Sequence, residues 1–170
     1  RRAFALTSAY GIMARAYFIY GFPGETEPTV EQTLALIREI RPLGAIFYLL
    51  ALFPGTALYD DDQTRRGVGD EIWLEPTEDI LYFETDPHLD REQVLSFGRR
   101  LRSTFYRELP GFARTVALGE SPELAPLHAD FLSRLGLTFT HGDYAGVEEI
   151  PKKEETAETL FRRAISYHPD

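Results

Sequence analysis

The chain has 170 residues, 44% of them hydrophobic and 26% charged, with a formal charge of −9 and no cysteine. That suits one globular domain with a small appendage and argues against a nucleic-acid partner, which needs a basic footprint. The missing cysteines remove disulfides, thiolate metal sites, a thiol nucleophile and iron–sulfur ligation by this chain itself. In chain order, Arg1–Tyr10 is predicted as a helix closed by Gly11. Ile12–Tyr20 is nearly continuously apolar, which predicts a strand covered on both faces, as in a parallel sheet. Gly21-Phe22-Pro23-Gly24 breaks it. A helix is expected from Thr26–Pro28, with Glu25 and Glu27 at its positive end and Val30, Leu34, Ile37 and Ile40 as its apolar stripe. Pro42 and Gly44 stop it. Ala45–Phe53 is a second buried strand, ended by Pro54-Gly55-Thr56.

Strand, helix, strand predicts a βαβ unit with a parallel pair. Two strands leave open edges. Further strands are therefore expected before Arg1, and the chain on its own is expected to self-associate. It starts without Met and inside a helical pattern, so it reads as a piece of a longer protein. Asp60–Glu71 is polar and reads as a surface loop, and Ile80–Phe83 as a short extended piece. A helix follows Asp90, with Gln93 as its capping-box partner and Leu89 and Val94 as a staple, and Pro110-Gly111 should end it. Two more helices are expected over Leu127–Thr140 and Glu154–Tyr167. The domain organisation is then 1–112 for the α/β part, 113–126 for a linker and 127–170 for a helical hairpin. No apolar run reaches about 18 residues and no secretory signal is visible, so no membrane contact and a cytoplasmic location are expected.

Most chemistry is missing. His88, His128, His141 and His168 are scattered, and no metal-ligating spacing or activated nucleophile exists. Asp60-Asp61-Asp62 reads as a solvated run. Gly21-Phe22-Pro23-Gly24-Glu25 differs, because it leaves a buried strand and enters a helix N-terminus. Ligands sit at that carboxyl edge in α/β folds. Phe53-Pro54-Gly55-Thr56 ends the second strand on the same edge. A phosphate loop needs Lys and Ser or Thr after the glycines, whereas Glu25 and Glu27 repel phosphate. A Gly-x-x-Gly clamp of the KH type joins two helices among basic residues, which these are not. What remains is a neutral or cationic small ligand held by backbone and apolar groups, or simply two turns.

Phe18-Ile19-Tyr20-Gly21-Phe22-Pro23-Gly24-Glu25-Thr26, a helix, then Leu52-Phe53-Pro54-Gly55-Thr56-Ala57-Leu58-Tyr59 resembles the second half of the radical S-adenosylmethionine enzyme core. The likeness continues through Gly69–Leu74 into the helix after Asp90. It is nearest to the cobalamin-binding subgroup with the anaerobic magnesium-protoporphyrin monomethyl ester oxidative cyclases. The resemblance implies an α/β fold: the C-terminal fragment of a partial (β/α)6 barrel, with Tyr20 ending the fifth strand and Ala45–Phe53 forming the sixth. It implies S-adenosylmethionine and a four-iron four-sulfur cluster as cofactors of the parent, with cobalamin in the subgroup. The parent would act on a small-molecule substrate as an oxidative cyclase or methyltransferase. The cluster's Cys-x3-Cys-x2-Cys loop would lie on an earlier strand, so this chain alone should be inactive. By resemblance, Ile19, Gly21, Phe22, Pro23, Gly24 and Glu25, with Leu52, Phe53 and Pro54, would line the adenine side of the cofactor pocket. Tyr17 stands where the family has Gly, and Glu25 lies one position late.

Leu135, Gly136, Phe139, Ala157, Phe161, Ala164 and Pro169 resemble a tetratricopeptide repeat, with Gly142-Asp143-Tyr144 at its turn and about ten residues inserted before Ala157. That likeness implies a protein partner on the C-terminal helices. It also supplies the alternative function, a non-catalytic interaction module on an α/β scaffold.

Overall fold

The computed structural model describes residues 1–74 and 79–168. Helix α1 spans Arg2–Ala9. Gly11 follows with φ 68°, and Gly11 and Ile12 donate to the carbonyls of Ser8 and Thr7 at 2.9 Å each. This pair of hydrogen bonds closes the helix in the left-handed cap that glycine favours. Strand β1 is Arg15–Tyr20, helix α2 is Glu27–Ile40 and strand β2 is Gly44–Leu49. Thr26 caps α2 through a reciprocal box with Thr29, Pro28 sits in its first turn, and Arg41 ends it in a left-handed conformation. The strands pair in parallel, Arg15 opposite Gly44 through Tyr20 opposite Leu49.

Helix α3 follows at Ala57–Arg66, then a 3-10 turn at Asp70–Leu74 and the one-turn helix α4 at Tyr82–Thr85. The loop expected over Asp60–Glu71 is therefore mostly helix, with Thr56 accepting from the Tyr59 N–H and Gly67 at the left-handed end. Asp62 is not solvated. Its carboxylate is buried and paired with Arg65 at 2.9 Å and Arg66 at 3.2 Å. Of the extended piece expected at Ile80–Phe83, only the start is extended: Leu81 bridges Ala51 antiparallel, while Tyr82 and Phe83 turn into α4.

Helix α5 runs Arg91–Arg114, capped by Asp90, whose carboxylate accepts from the Gln93 N–H at 2.8 Å. Pro110-Gly111 does not end it. Leu109, Phe112 and Ala113 are buried, and that packing carries the helix past the missing proline N–H. Helices α6, Ala125–Thr140, and α7, Lys153–Tyr167, form a hairpin in which Gly136 lets the Phe161 ring approach the α6 backbone. Pro169 lies outside the described residues.

The core has two parts. The larger runs from Tyr20, Leu34 and Phe47 through Phe97, Leu101 and Phe105 of α5 to Leu132, Phe139 and Leu160 of the hairpin. Tyr144, between α6 and α7, donates its hydroxyl to the Leu43 carbonyl just before β2. Burial pushes that phenol up to about 12. Glu27, Glu31 and Glu108 clasp Arg100 and Arg38 between α2 and α5. The smaller part, Leu52, Tyr59 and Tyr82, sits beyond the end of β2.

One expectation about the sheet fails. Ala16, Phe18 and Tyr20 of β1 and Phe47 of β2 pack on the core, but Tyr17, Ile19 and Tyr48 on the other face are 63%, 51% and 52% exposed. A parallel sheet is ordinarily covered on both faces. Among the described residues, helices cover only one.

Candidate functional site

Both strands end at the same edge, because they are parallel and in register. The Leu50 N–H extends the ladder to the Tyr20 carbonyl at 2.8 Å, so the chain leaves both strands side by side. From β1 it enters Gly21–Thr26. Gly21 has φ 87° and a buried backbone, and a Cβ there would lie 2.9 Å from Leu49 Cδ1. Only glycine combines that dihedral with that close approach. The Glu25 carboxylate folds back and accepts the Gly21 N–H at 2.5 Å. Phe22, Pro23 and Gly24 stand exposed at the tip, and Gly24, with φ 72°, faces open space.

From β2 the chain runs through Leu50–Thr56. The Leu52 N–H donates to the Ile80 carbonyl at 2.8 Å, and Tyr82 donates to the Leu50 carbonyl at 2.9 Å. Leu52 is buried in the smaller core, whereas Phe53 and Pro54 are exposed. Gly55 has φ 81° and open space beside it. The edge therefore presents Phe22, Pro23, Phe53 and Pro54, with Ile19 below them on the bare sheet face. Glu25 and Leu52 are engaged by protein atoms.

A hydrogen-bonded cluster braces the second turn from behind. Tyr59, 2% exposed, donates to Asp70 at 2.9 Å and accepts from Trp73 Nε1 at 2.7 Å, and Gln63 donates to both Tyr59 and Asp70. Desolvation raises the Tyr59 phenol above its ordinary value. Bonds from its own N–H and that of Gly69 hold the Glu71 carboxyl below its usual range. The pattern of residues gave no notice of this cluster, although Thr56 and Gly67 are ordinary start and stop signals for the helix that carries Tyr59 and Gln63. The bare face was missed too. Its signal was Tyr17 and Tyr48 at positions alternating with Phe18 and Phe47.

No group of three or more His, Asp or Glu among the described residues could hold a metal ion, and no described helix is long and apolar enough to cross a membrane. The arrangement offers two glycine-shaped turns and exposed aromatic side chains rather than an acid, base or nucleophile. Such an edge can bind and orient a ligand, and the carboxylate of its first turn, Glu25, is committed to the Gly21 N–H.

No family model matches the chain, and no solved structure matches it. Among curated proteins it is similar to the tRNA-2-methylthio-N(6)-dimethylallyladenosine synthase of Serratia proteamaculans (strain 568), 35% identical over 92 residues. The match takes in 54% of this chain and 18% of that relative, so the matched region spans just under a fifth of the relative's length.

Proposed function

We propose that this chain is the later part of a radical S-adenosylmethionine enzyme core, supplying the adenine side of the cofactor pocket. The observation that carries the reading is the parallel β1–α2–β2 unit whose two strands both end in Phe-Pro-Gly turns on one edge. The 92-residue likeness supports a radical S-adenosylmethionine origin at the level of the superfamily. The bare inner face, opposite the helices, fits a sheet that continues around a partial (β/α)6 barrel. The residues present suit one side of such a cofactor: glycine turns that admit a close backbone approach, and exposed apolar side chains at Ile19, Phe22 and Phe53. They do not suit the cluster, since the chain has no cysteine. When bound to a four-iron four-sulfur cluster, S-adenosylmethionine supplies radical hydrogen-abstraction chemistry. This chain's part is to seat the nucleoside end: Gly21 and Gly24 shape the first turn, Glu25 holds it shut, and the backbone from Leu52 to Pro54 forms the second wall.

The finer subgroup, cobalamin-dependent and cyclase-like, rests on the sequence likeness alone and is not needed for this role. The second reading is a protein-interaction module. It is favoured by Leu137 and Ile165, which are exposed on α6 and α7. Its weakness is that the hairpin's other face shares the main core with α5.

The test uses the full-length protein encoded by the extended reading frame, purified anaerobically. A Cys-x3-Cys-x2-Cys loop should lie upstream of Arg1, and reduction with S-adenosylmethionine should yield 5′-deoxyadenosine. Gly24→Val should raise the cofactor Kd at least tenfold while leaving the cluster absorbance unchanged. Absence of the cysteine loop, or cofactor binding that ignores Gly24→Val, would refute the assignment.

A further inference from the structure

We propose that the bare face of the two-stranded sheet is a platform for a flat, charge-poor heteroaromatic ring of a small-molecule substrate, with Tyr17 and Tyr48 as its specificity-determining contacts. This rests on the reading above, which turns that face toward the reaction space beside the cofactor edge.

Three observations converge on it. The rings of Tyr17 and Tyr48 lie nearly parallel, 10° apart with centroids separated by 6.2 Å, and both are more than half exposed. On the opposite face the same strands pair Phe18 with Phe47, ring against ring at 5.5 Å, and that pair is covered by protein. At these two paired positions the phenyl rings lie against the core and the phenols on the bare face. Neither exposed hydroxyl has a partner among the described residues. A tyrosine buried later under plain aliphatic packing would strand its hydroxyl, so these two call for an occupant with hydrogen-bonding atoms at its rim.

Charge narrows the occupant. The strand residues of this face are Arg15, Tyr17, Ile19, Gly44, Ile46 and Tyr48, with no carboxylate among them. Arg15 sits at the far, amino-terminal end and leans toward Asp143 at 3.8 Å. Among the described strand residues of this face the one cation is Arg15, already turned toward Asp143, whereas a neutral conjugated ring finds two aromatic faces and two phenolic donors. Tyrosine also orders cheaply, with two side-chain torsions. Tyr48 lies one residue before the end of β2, which puts the platform just beneath the Gly21–Glu25 and Phe53–Pro54 turns.

The probe is caffeine, which is flat, neutral and carries carbonyl acceptors. It is titrated into the 170-residue chain with labelled tyrosine rings and followed by NMR. Saturable upfield shifts are expected at Tyr17 and Tyr48 and not at buried Tyr59 or Tyr144, with no such shifts from non-aromatic cyclohexanone. The Tyr17→Leu/Tyr48→Leu pair should weaken binding at least tenfold, and Tyr17→Phe/Tyr48→Phe about two- to fivefold. Should the leucine pair misfold by circular dichroism, the phenylalanine pair decides. Shifts that cyclohexanone reproduces, or affinity unchanged in the decisive pair, overturn the platform. So does a dimer in which the two rings are already shifted before caffeine is added, which would assign the face to a second copy. Single-stranded RNA binding the same rings more than tenfold tighter, with steep salt dependence, would reassign it to RNA. Failure of S-adenosylmethionine cleavage in the full-length enzyme removes the cofactor reading and leaves these shifts standing. Loss of the shifts with cleavage intact removes the platform alone.

Discussion

Phe22-Pro23-Gly24 and Phe53-Pro54-Gly55 are the same triplet used twice. Each leaves a strand end, each puts its glycine at positive φ, 72° and 81°, and each hands the chain to a helix capped by threonine. Their supports differ. The first turn is closed from within, by Glu25 on the Gly21 amide and by Gly21 wedged beneath Leu49. The second is held from outside, by backbone bonds to residues 80–82 and by the Tyr59 cluster behind it. A short sequence fixes the local bend, but what surrounds it decides whether the bend stands alone. The first turn should respond mainly to changes at Gly21, Glu25 and Leu49, and the second to changes between residues 59 and 82.

The largest break in that comparison is expected from Gly21→Val. It forces a β-branched residue to φ 87° and drives its Cβ to 2.9 Å from Leu49 and 3.3 Å from Val94. Backbone strain and overpacking add, and about 4 kcal/mol of stability should be lost. Gly55→Ala meets only the dihedral penalty, with nothing within 4 Å, and should lose about 1 kcal/mol. Urea denaturation of both variants checks the ratio. Equal losses would mean that the crowding under Leu49 carries no weight.

Next comes the opposite end of β2. Tyr144 is buried against the Leu43 carbonyl and its phenol is pushed up to about 12. The unfolded phenol titrates near 10, so the native state holds its proton more tightly. The stabilisation is complete below pH 10 and is lost as pH rises toward 12, by about 3 kcal/mol in all. Tyr144→Phe should flatten that part of the stability profile. An unchanged slope in the variant would show that another group titrates. Tyr59→Phe is a milder break, confined to the second turn. It strands Trp73 Nε1, which donates to the Tyr59 hydroxyl, and should cost about 2 kcal/mol. Trp73 is the only tryptophan, so a red shift in its emission reports the event directly. The Gly21–Glu25 turn should not sense it.

The βαβ order, the Gly11 stop, the start of α2 over Thr26–Pro28 and the Asp90 cap were legible because each depends on a few adjacent residues with one local job. Helix α3 was not, since only Tyr59 and Asp62 of it are buried and the polar remainder outweighs any stripe. Its caps were visible, but the acids between them looked like solvent-facing charge, and the burial of Asp62 depends on two arginines folding back over it. The run past Pro110 was hidden for a similar reason: a proline rule argues locally, whereas Phe112 and Ala113 are held by distant partners. At the candidate edge the glycines and the exposed Phe-Pro tips could be read from sequence. The engagement of Glu25 with Gly21 and of Leu52 with Ile80 could not, because each depends on how the chain bends back.

The finest separation of the two turns comes from their polar braces. Glu25→Ala removes the carboxylate that accepts the Gly21 amide, a bond to a charged group, and should cost about 1.5 kcal/mol. Thr56→Ala removes the hydroxyl that accepts from the Tyr59 N–H at the start of α3 and should cost about 1 kcal/mol, as N-caps do. The two losses are too close to rank by denaturation alone, so hydrogen exchange at the turns decides. Glu25→Ala should free the Gly21 amide and leave the Leu52 amide, bonded to Ile80, as protected as before. Thr56→Ala should loosen the first turn of α3 and leave Gly21 protected. If either change deprotects both amides, the turns open as one unit, and the second is not held independently by the residues behind it.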